Sequence, residues 1–165
     1  MLTIVLGIMA AHAVSSQTRT DALSVGLTHQ KVATVEGKEA LVNANSAKPG
    51  DVIEYRATYR NESSKLLQSV EATLPVPAGT AVLPTSLAPG AMASVDGAGF
   101  QPIPLKRKMK QPNGTEIEVL VPYAEYRFLR WKVGSLDAGK AAVYVARVKV
   151  NQPEAPQMVS QVAGR

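Results

Sequence analysis

The residues with the clearest capacity for chemistry form a short basic run in the second half of the chain. A dense cationic cluster of this kind is suited to an anionic ligand such as a cell-wall polymer. The basic residues of the run are Lys106, Arg107, Lys108 and Lys110. No aromatic residue interleaves with them, which disfavours nucleic acid as a partner, because single strands are bound by base stacking as well as by charge.

The same run is also explained as one strand of a β-hairpin. If residues 112–114 form a three-residue loop, Lys110 lies opposite Glu116 and Lys108 lies opposite Glu118. Opposite charges across a strand pair neutralise one another and stabilise the register modestly. The other two basic residues of the run have no partner in that arrangement, so the anion-binding interpretation stays open beside the structural one.

Groups that could perform catalysis are sparse. The chain has no cysteine and two histidines, His12 and His29, so a thiolate nucleophile is excluded and a hydrolase triad or histidine-rich metal site would depend on His29. The acidic residues show neither calcium-loop spacing nor an evident glycosidase pair, and the glycines form no phosphate-binding loop. We therefore predict a non-catalytic protein with no cofactor and no metal.

The first thirteen residues predict export. Residues 1–11 are an uncharged apolar run that is too short to span a bilayer, and Ala11-His12-Ala13 offers small residues at the two positions that precede a signal-peptide cleavage site. The lack of Lys or Arg before this run departs from the usual pattern, and a buried first strand or an uncleaved anchor is the alternative. We expect a signal peptide at 1–13, a polar spacer at 14–22, no transmembrane span after cleavage, and a location in the periplasm, at the cell surface or outside the cell.

From Leu23 onward the apolar residues recur mainly with a period of two, which is typical of strands with one buried face. The strongest example is Asp51–Asn61, and turn residues recur about every ten positions. The pattern predicts an all-β fold of about seven to nine strands over residues 23–150, either a sandwich or a small barrel, and of these two we expect the sandwich. After the last strand, residues 151–165 are expected to form a flexible C-terminal tail.

Three finer predictions concern the strands. The strand at Asp51–Asn61 and the one that follows it, around Val70–Leu74, are joined closely enough that we expect them to pair. Tyr123–Val133 and Ala141–Val150 should be two further strands. The alternation slips between Phe128 and Leu129, and a β-bulge there would account for the slip.

Several of these segments contain a set of features in a fixed order. The features are a Pro-Gly-Asp turn that opens a strand, an Asn that closes it, a Leu-Pro ending on the next strand, and a Trp-x-x-Gly-x-Leu-x-x-Gly segment. The residues concerned are Pro49, Gly50, Asp51, Tyr55, Asn61, Pro75, Trp131, Gly134 and Gly139. Together they resemble the repeat domain of bacterial and archaeal surface proteins known as domain of unknown function 11. The resemblance implies an immunoglobulin-like sandwich in a cell-wall, envelope or fibre protein, with no catalytic residues, and relative to that family the middle of this chain, residues 84–122, is enlarged.

Two functions are compatible with these observations. The first is an exported structural or adhesive module that binds other proteins, or itself, through strand edges; part of the segment Val14–Thr34 alternates like a strand and could complete a neighbour's sheet. The second is a periplasmic or extracellular binding protein whose enlarged middle and basic hairpin recognise an anionic ligand. The choice between them depends on which surfaces the fold leaves free.

Overall fold

The computed structural model describes residues 22–152, so the predicted signal peptide and most of the predicted spacer and tail lie outside the described residues. Within this range the chain forms eleven β-strands and two short 3-10 helices, Pro84–Ser86 and Tyr123–Glu125. The strands are β1 (Leu23–Val35), β2 (Lys38–Val42), β3 (Val52–Asn61), β4 (Leu67–Pro75), β5 (Thr80–Leu83), β6 (Met92–Ser94), β7 (Gln101–Pro102), β8 (Lys106–Lys110), β9 (Glu116–Leu120), β10 (Phe128–Leu136) and β11 (Ala141–Val150).

Nine of the described strands form two packed sheets, which confirms the predicted all-β sandwich. The large sheet has five strands in the order β2-β1-β3-β11-β5, and the small sheet has four in the order β4-β10-β6-β7. All strand pairs are antiparallel. Strands β8 and β9 form a separate two-stranded hairpin inside the enlarged middle.

The core between the sheets is built around Trp131. This side chain, only 2% exposed, projects from β10 and stacks on Tyr144 of β11, with 4.8 Å between the ring centroids. Its indole N–H donates to the carbonyl of Ala88 at 3.3 Å, so the polar part of the ring is also satisfied. Trp131 therefore joins the small sheet, the large sheet and the segment that follows the first 3-10 helix.

The prediction that the strands at Asp51–Asn61 and Val70–Leu74 pair with each other is wrong. In the structure β3 pairs with β1 and β11, whereas β4 pairs with β10 in the other sheet. The connection between β3 and β4 crosses from one sheet to the other because both strands have a buried apolar face, and those faces pack against each other across the sandwich. The link between them is therefore an arch and not a hairpin.

The strand predicted at Tyr123–Val133 begins later than expected. Residues Tyr123–Glu125 form a 3-10 helix, and β10 starts at Phe128. Tyr126, which lies between them, is fully buried and its hydroxyl accepts a hydrogen bond from the N–H of Leu105 at 2.7 Å. This tertiary contact holds the segment out of the sheet, whereas the strand predicted at Ala141–Val150 is confirmed.

The bulge predicted between Phe128 and Leu129 is displaced along β10. Phe128 and Leu129 pair regularly with β4, and the register shifts instead on both sides of Gly134. Gly134 has a φ of 80°, a conformation that residues with a Cβ rarely adopt. The apparent slip at Phe128 arises because Leu129 and Trp131 are the residues that begin the inward-facing series.

Candidate functional site

The first strand of the large sheet has a long stretch with a neighbour on one side only. Strand β2 pairs with β1 over Lys31–Val35, whereas β3 pairs with β1 from Leu23 to Val32. Within residues 22–152, Leu23–Gln30 therefore has β3 on one side and no paired strand on the other. We call the unpaired side of Leu23–Gln30 the open edge.

The turn between β1 and β2 shows which backbone groups point to the open edge. Glu36 and Gly37 both have positive φ angles, 50° and 76°, as a two-residue hairpin loop requires, and Val35 pairs with Lys38. The pair that closes such a loop is hydrogen-bonded, so the N–H and C=O of Val35 point toward β2. Because these directions alternate along a strand, the odd-numbered residues of β1 all present their backbone groups to that side.

The residues whose backbone groups face the open edge are Leu23, Val25, Leu27 and His29. The even-numbered residues face β3, in agreement with the hydrogen bond that Glu62 N–H donates to the carbonyl of Ala22 at 2.9 Å. The open edge thus offers alternating donors and acceptors that a further strand can pair with directly.

The side chains of the open edge are uncharged and partly apolar. Leu23–Gln30 contains no Lys, Arg, Asp or Glu. Val25 is 59% exposed and Leu27 is 48% exposed. Both lie on the core-facing side of the large sheet, since they are opposite the buried residues Tyr59 and Ala57 of β3.

These apolar side chains are exposed because the small sheet ends before it reaches β1. Across the sandwich β3 faces β4, and β11 faces β10. Since β4 is the last strand of the small sheet on that side, β1 and β2 extend beyond it. The sequence alternation had indicated that Val25 and Leu27 share a face, but it contained no signal that this face would be uncovered.

The Pro-Gly-Asp turn fixes the beginning of β3 beside β1. Gly50 has a φ of 90°, and the N–H of Asp51 donates to the carbonyl of Lys48 at 3.0 Å. The Asp51 carboxylate accepts from the N–H of Lys48 at 2.8 Å and lies 3.6 Å from the ammonium of Lys31. The hydrogen bond from Lys48, together with the charge of Lys31, lowers the pKa of Asp51. This motif, which includes Pro49, is therefore explained by turn formation.

Asn61 ends β3 and forms hydrogen bonds to three segments: residues 63–65, the end of β10 and the turn before β11. Its amide is fully buried and donates to the carbonyls of Lys65 and Leu136, at 2.7 and 2.9 Å. Its side-chain oxygen accepts from the N–H and the hydroxyl of Ser63. Its backbone carbonyl accepts from the N–H of Gly139, whose φ is 69°. Asn61 therefore organises the arch to β4 and the turn that precedes β11.

Two other residues of the sequence motif, Pro75 and Tyr55, have positions that are explained by the fold. Pro75 ends β4, where it is exposed and lies opposite Phe128. Tyr55 lies in β3 and stacks on His29 of β1, with 5.8 Å between ring centroids, and burial raises its pKa. The motif residues are thus distributed over the sandwich and do not converge on one cavity.

The basic run forms the predicted hairpin, with the predicted register. Lys110 lies opposite Glu116 and Lys108 lies opposite Glu118. The ion pairs, however, run diagonally: Lys106 binds Glu118 at 2.8 Å, and Lys108 approaches Glu116 at 3.4 Å. The hydrogen bond and charge of Glu118 raise the pKa of Lys106.

The structure also gives Arg107 a partner that the hairpin scheme lacked. Its guanidinium forms two hydrogen bonds to the carboxylate of Glu125, at 2.5 and 3.2 Å. Three of the four basic residues in the run are therefore ion-paired within the described part of the chain. The hairpin consequently has much less uncompensated charge than its sequence suggests, which weakens the anion-binding interpretation.

The hairpin leads to a prediction about charge. If the run has no special role, replacing Lys106, Arg107, Lys108 and Lys110 with glutamine should weaken retention on an anionic polymer only as much as any equal loss of charge. A matched control replaces four dispersed and exposed lysines, Lys38, Lys65, Lys140 and Lys149, with glutamine. Salt-gradient elution from an anionic polysaccharide column measures the effect. A markedly greater loss for the hairpin variant would contradict this expectation and favour the anionic-ligand function.

The lining of one cavity contains paired charges. A depression of about 440 Å³ on the outer face of the large sheet is lined partly by Glu39, Glu54 and Arg147. Arg147 binds Glu39 at 2.6 Å and Glu54 at 3.0 Å, and these bonds raise its pKa. Since its charged groups pair with one another, the depression presents no unpaired charged group among the described residues.

The remaining described residues offer little that would indicate chemistry. Over residues 22–152 there is no group of three or more His, Asp or Glu side chains arranged to hold a metal ion. In that same range no helix has the length and apolar character needed to cross a membrane. No protein-family model, curated protein or solved structure matches the chain. The resemblance to domain of unknown function 11 therefore stays a prediction.

Proposed function

We propose that the protein is an exported, non-catalytic structural or adhesive module that joins a neighbouring chain by β-strand addition at the open edge of β1. The observation that carries this proposal is that, within residues 22–152, the backbone groups along the open edge are unpaired and the side chains of Val25 and Leu27 are uncovered. Strand addition uses both features, because the main chain supplies affinity and alternate side chains supply specificity.

The absence of protection along this edge supports a binding role. Natural sheets blunt their edges with lysine, proline, bulges or very short strands, because a bare edge invites aggregation. Leu23–Gln30 contains neither a charged residue nor a proline, and its pairing with β3 is regular throughout. An edge of this length without such protection is expected where pairing with another strand is the function.

Export and a surface location are part of the proposal. They are supported by the signal-peptide pattern at 1–13 and by the resemblance to repeat domains of surface proteins. The ion pairing of the basic hairpin makes an anionic ligand the less supported of the two functions.

Replacing Leu27 with proline should abolish association at the open edge and leave the fold intact. The Leu27 N–H points away from β3, so proline removes a donor from the open edge without removing one from the β1–β3 ladder. Light scattering after size exclusion and electron microscopy of the secreted protein would measure association. We expect the wild-type protein to form dimers or larger assemblies and the Leu27→Pro variant to form neither.

Two controls separate this effect from misfolding. Leu27→Ala removes the same side chain but keeps the N–H, and it should retain part of the association. The thermal unfolding midpoint of Leu27→Pro should stay close to that of Leu27→Ala. Assemblies that persist unchanged in a folded Leu27→Pro variant would show that strand addition at β1 is not how the protein binds its neighbours.

A further inference from the structure

We propose that the strand added to the open edge is β1 of a second copy, paired antiparallel about a two-fold axis that passes through Gly26. This inference rests on the proposed function and names its partner. The supporting observations are the length of the open edge, the direction of its backbone groups, the absence of charge along it and the match of its side chains under this symmetry.

The length of the open edge limits the pairing. Strand β2 occupies the edge from Lys31 onward, since Val42 lies opposite Lys31. A second copy of β1 can therefore pair only as far as Gln30. At the other end the pairing reaches Leu23, where β1 begins. The available stretch is long enough for a stable strand pair when it is supported by the rest of the sheet.

The direction of the backbone groups limits the register. Only the odd-numbered residues of β1 present N–H and C=O groups to the open edge, so an odd-numbered residue must lie opposite an odd-numbered residue of the partner. The register that places Gly26 opposite the partner's Gly26 meets this condition, and it uses the open edge from Leu23 to His29 in full. Registers shifted by one residue would direct the donors and acceptors away from each other.

This register also matches the side chains. Val25 lies opposite the partner's Leu27, and the same contact occurs twice because of the two-fold axis. The four exposed apolar side chains then pack as two cross-strand pairs on the core-facing side of the joined sheet. On the outer side Ser24 lies opposite the partner's Thr28, a hydroxyl pair that is favourable across strands. Gly26 has no side chain at the axis, where the two backbones approach.

The charge distribution permits this contact between identical chains. The whole chain carries a net charge of +5, which would oppose association through most parts of its surface. Leu23–Gln30 is uncharged, so the pairing brings no like charges directly opposite each other. The two five-stranded sheets would join into one continuous sheet. Because the contact is two-fold it closes on itself, and any growth into fibres would need a second surface.

Single cysteine substitutions test the proposed register, because the natural chain contains no cysteine. In the proposed pair Gly26 is a non-hydrogen-bonded position, where opposite Cα atoms are about 4.5 Å apart, within the range that a disulfide spans. A Cβ added at Gly26 meets no atom within 4 Å, so Gly26→Cys should fold. We expect mild oxidation to convert most of Gly26→Cys into a covalent dimer.

The controls use two other outward-facing positions on the same strand. Ser24→Cys alone should give little covalent dimer, because its opposite residue is the partner's Thr28. An equal mixture of Ser24→Cys and Thr28→Cys should instead give a covalent dimer that contains one chain of each variant. Efficient dimerisation of Ser24→Cys alone would overturn the proposed register.

The outcomes also separate this inference from the proposed function. A wild-type protein that stays monomeric at high concentration, with no Gly26→Cys dimer, would overturn pairing with a second copy. If Leu27→Pro then still abolishes retention of the protein in the cell-envelope fraction, strand addition stands and the partner is a different chain. If Leu27→Pro has no effect on retention either, both proposals fail.

Discussion

Replacing Trp131 with alanine is expected to lower the free energy of unfolding by about 3–5 kcal/mol, the usual loss when a large buried aromatic side chain is truncated. Trp131 is almost completely buried, stacks on Tyr144 of the opposite sheet and donates a hydrogen bond to Ala88. The substitution leaves a cavity between the sheets and an acceptor without its donor. Urea denaturation should show a much lower midpoint with an unchanged slope.

Two further variants calibrate this result. Trp131→Phe keeps an aromatic ring in the core and should lose distinctly less stability than Trp131→Ala. Leu120→Ala removes an apolar side chain that is largely exposed on the hairpin, and its effect should stay within about 0.5 kcal/mol. A loss below about 1 kcal/mol for Trp131→Ala would mean that the two sheets do not pack around this residue as described.

Asn61→Ala should destabilise the protein by a similar amount, about 3–5 kcal/mol, although it removes far less volume. The side-chain N–H groups of Asn61 donate to the carbonyls of Lys65 and Leu136, and its side-chain oxygen accepts from the N–H and the hydroxyl of Ser63. Each buried group left without a partner costs about 1–3 kcal/mol. The arch from β3 to β4 should therefore lose most of its support, and the urea midpoint should fall accordingly.

Asn113 offers a matched control for Asn61. It is also an asparagine in a turn, and its side-chain oxygen accepts from the N–H of Thr115 at 3.0 Å. Asn113 is exposed at the tip of the β8–β9 hairpin, where water replaces a lost hydrogen bond, so Asn113→Ala should cost less than about 1 kcal/mol. Equal effects at the two positions would contradict the bridging role of Asn61.

The local features of the fold were predictable because short-range chemistry sets them. Pro49, Gly50 and Asp51 form a turn through their own backbone preferences, and that turn is present. The register of the basic hairpin follows from its three-residue loop, and the structure confirms it. The diagonal direction of the ion pairs and the bond between Arg107 and Glu125 were not predictable, because they depend on strand twist and on a residue from another segment.

The errors have a common origin in long-range packing. The sequence shows that β3 and β4 each have a buried face, but it does not show whether two such strands lie side by side or face to face. Tyr123–Glu125 alternates like a strand, yet the burial of Tyr126 against Leu105 draws the chain out of the sheet. Which strands pair with each other, and which faces are covered, therefore depends on contacts between residues that are distant in the chain.

The open edge of β1 results from both local sequence properties and long-range packing. Alternation in Leu23–Gln30 and the turn at Glu36 and Gly37 are local properties, and the alternation was sufficient to predict that this segment behaves like a strand. The exposure of Val25 and Leu27 depends instead on where β2 stops and where the small sheet ends. Both limits are set by how the two sheets pack, because a strand edge is free only where no other part of the folded chain covers it.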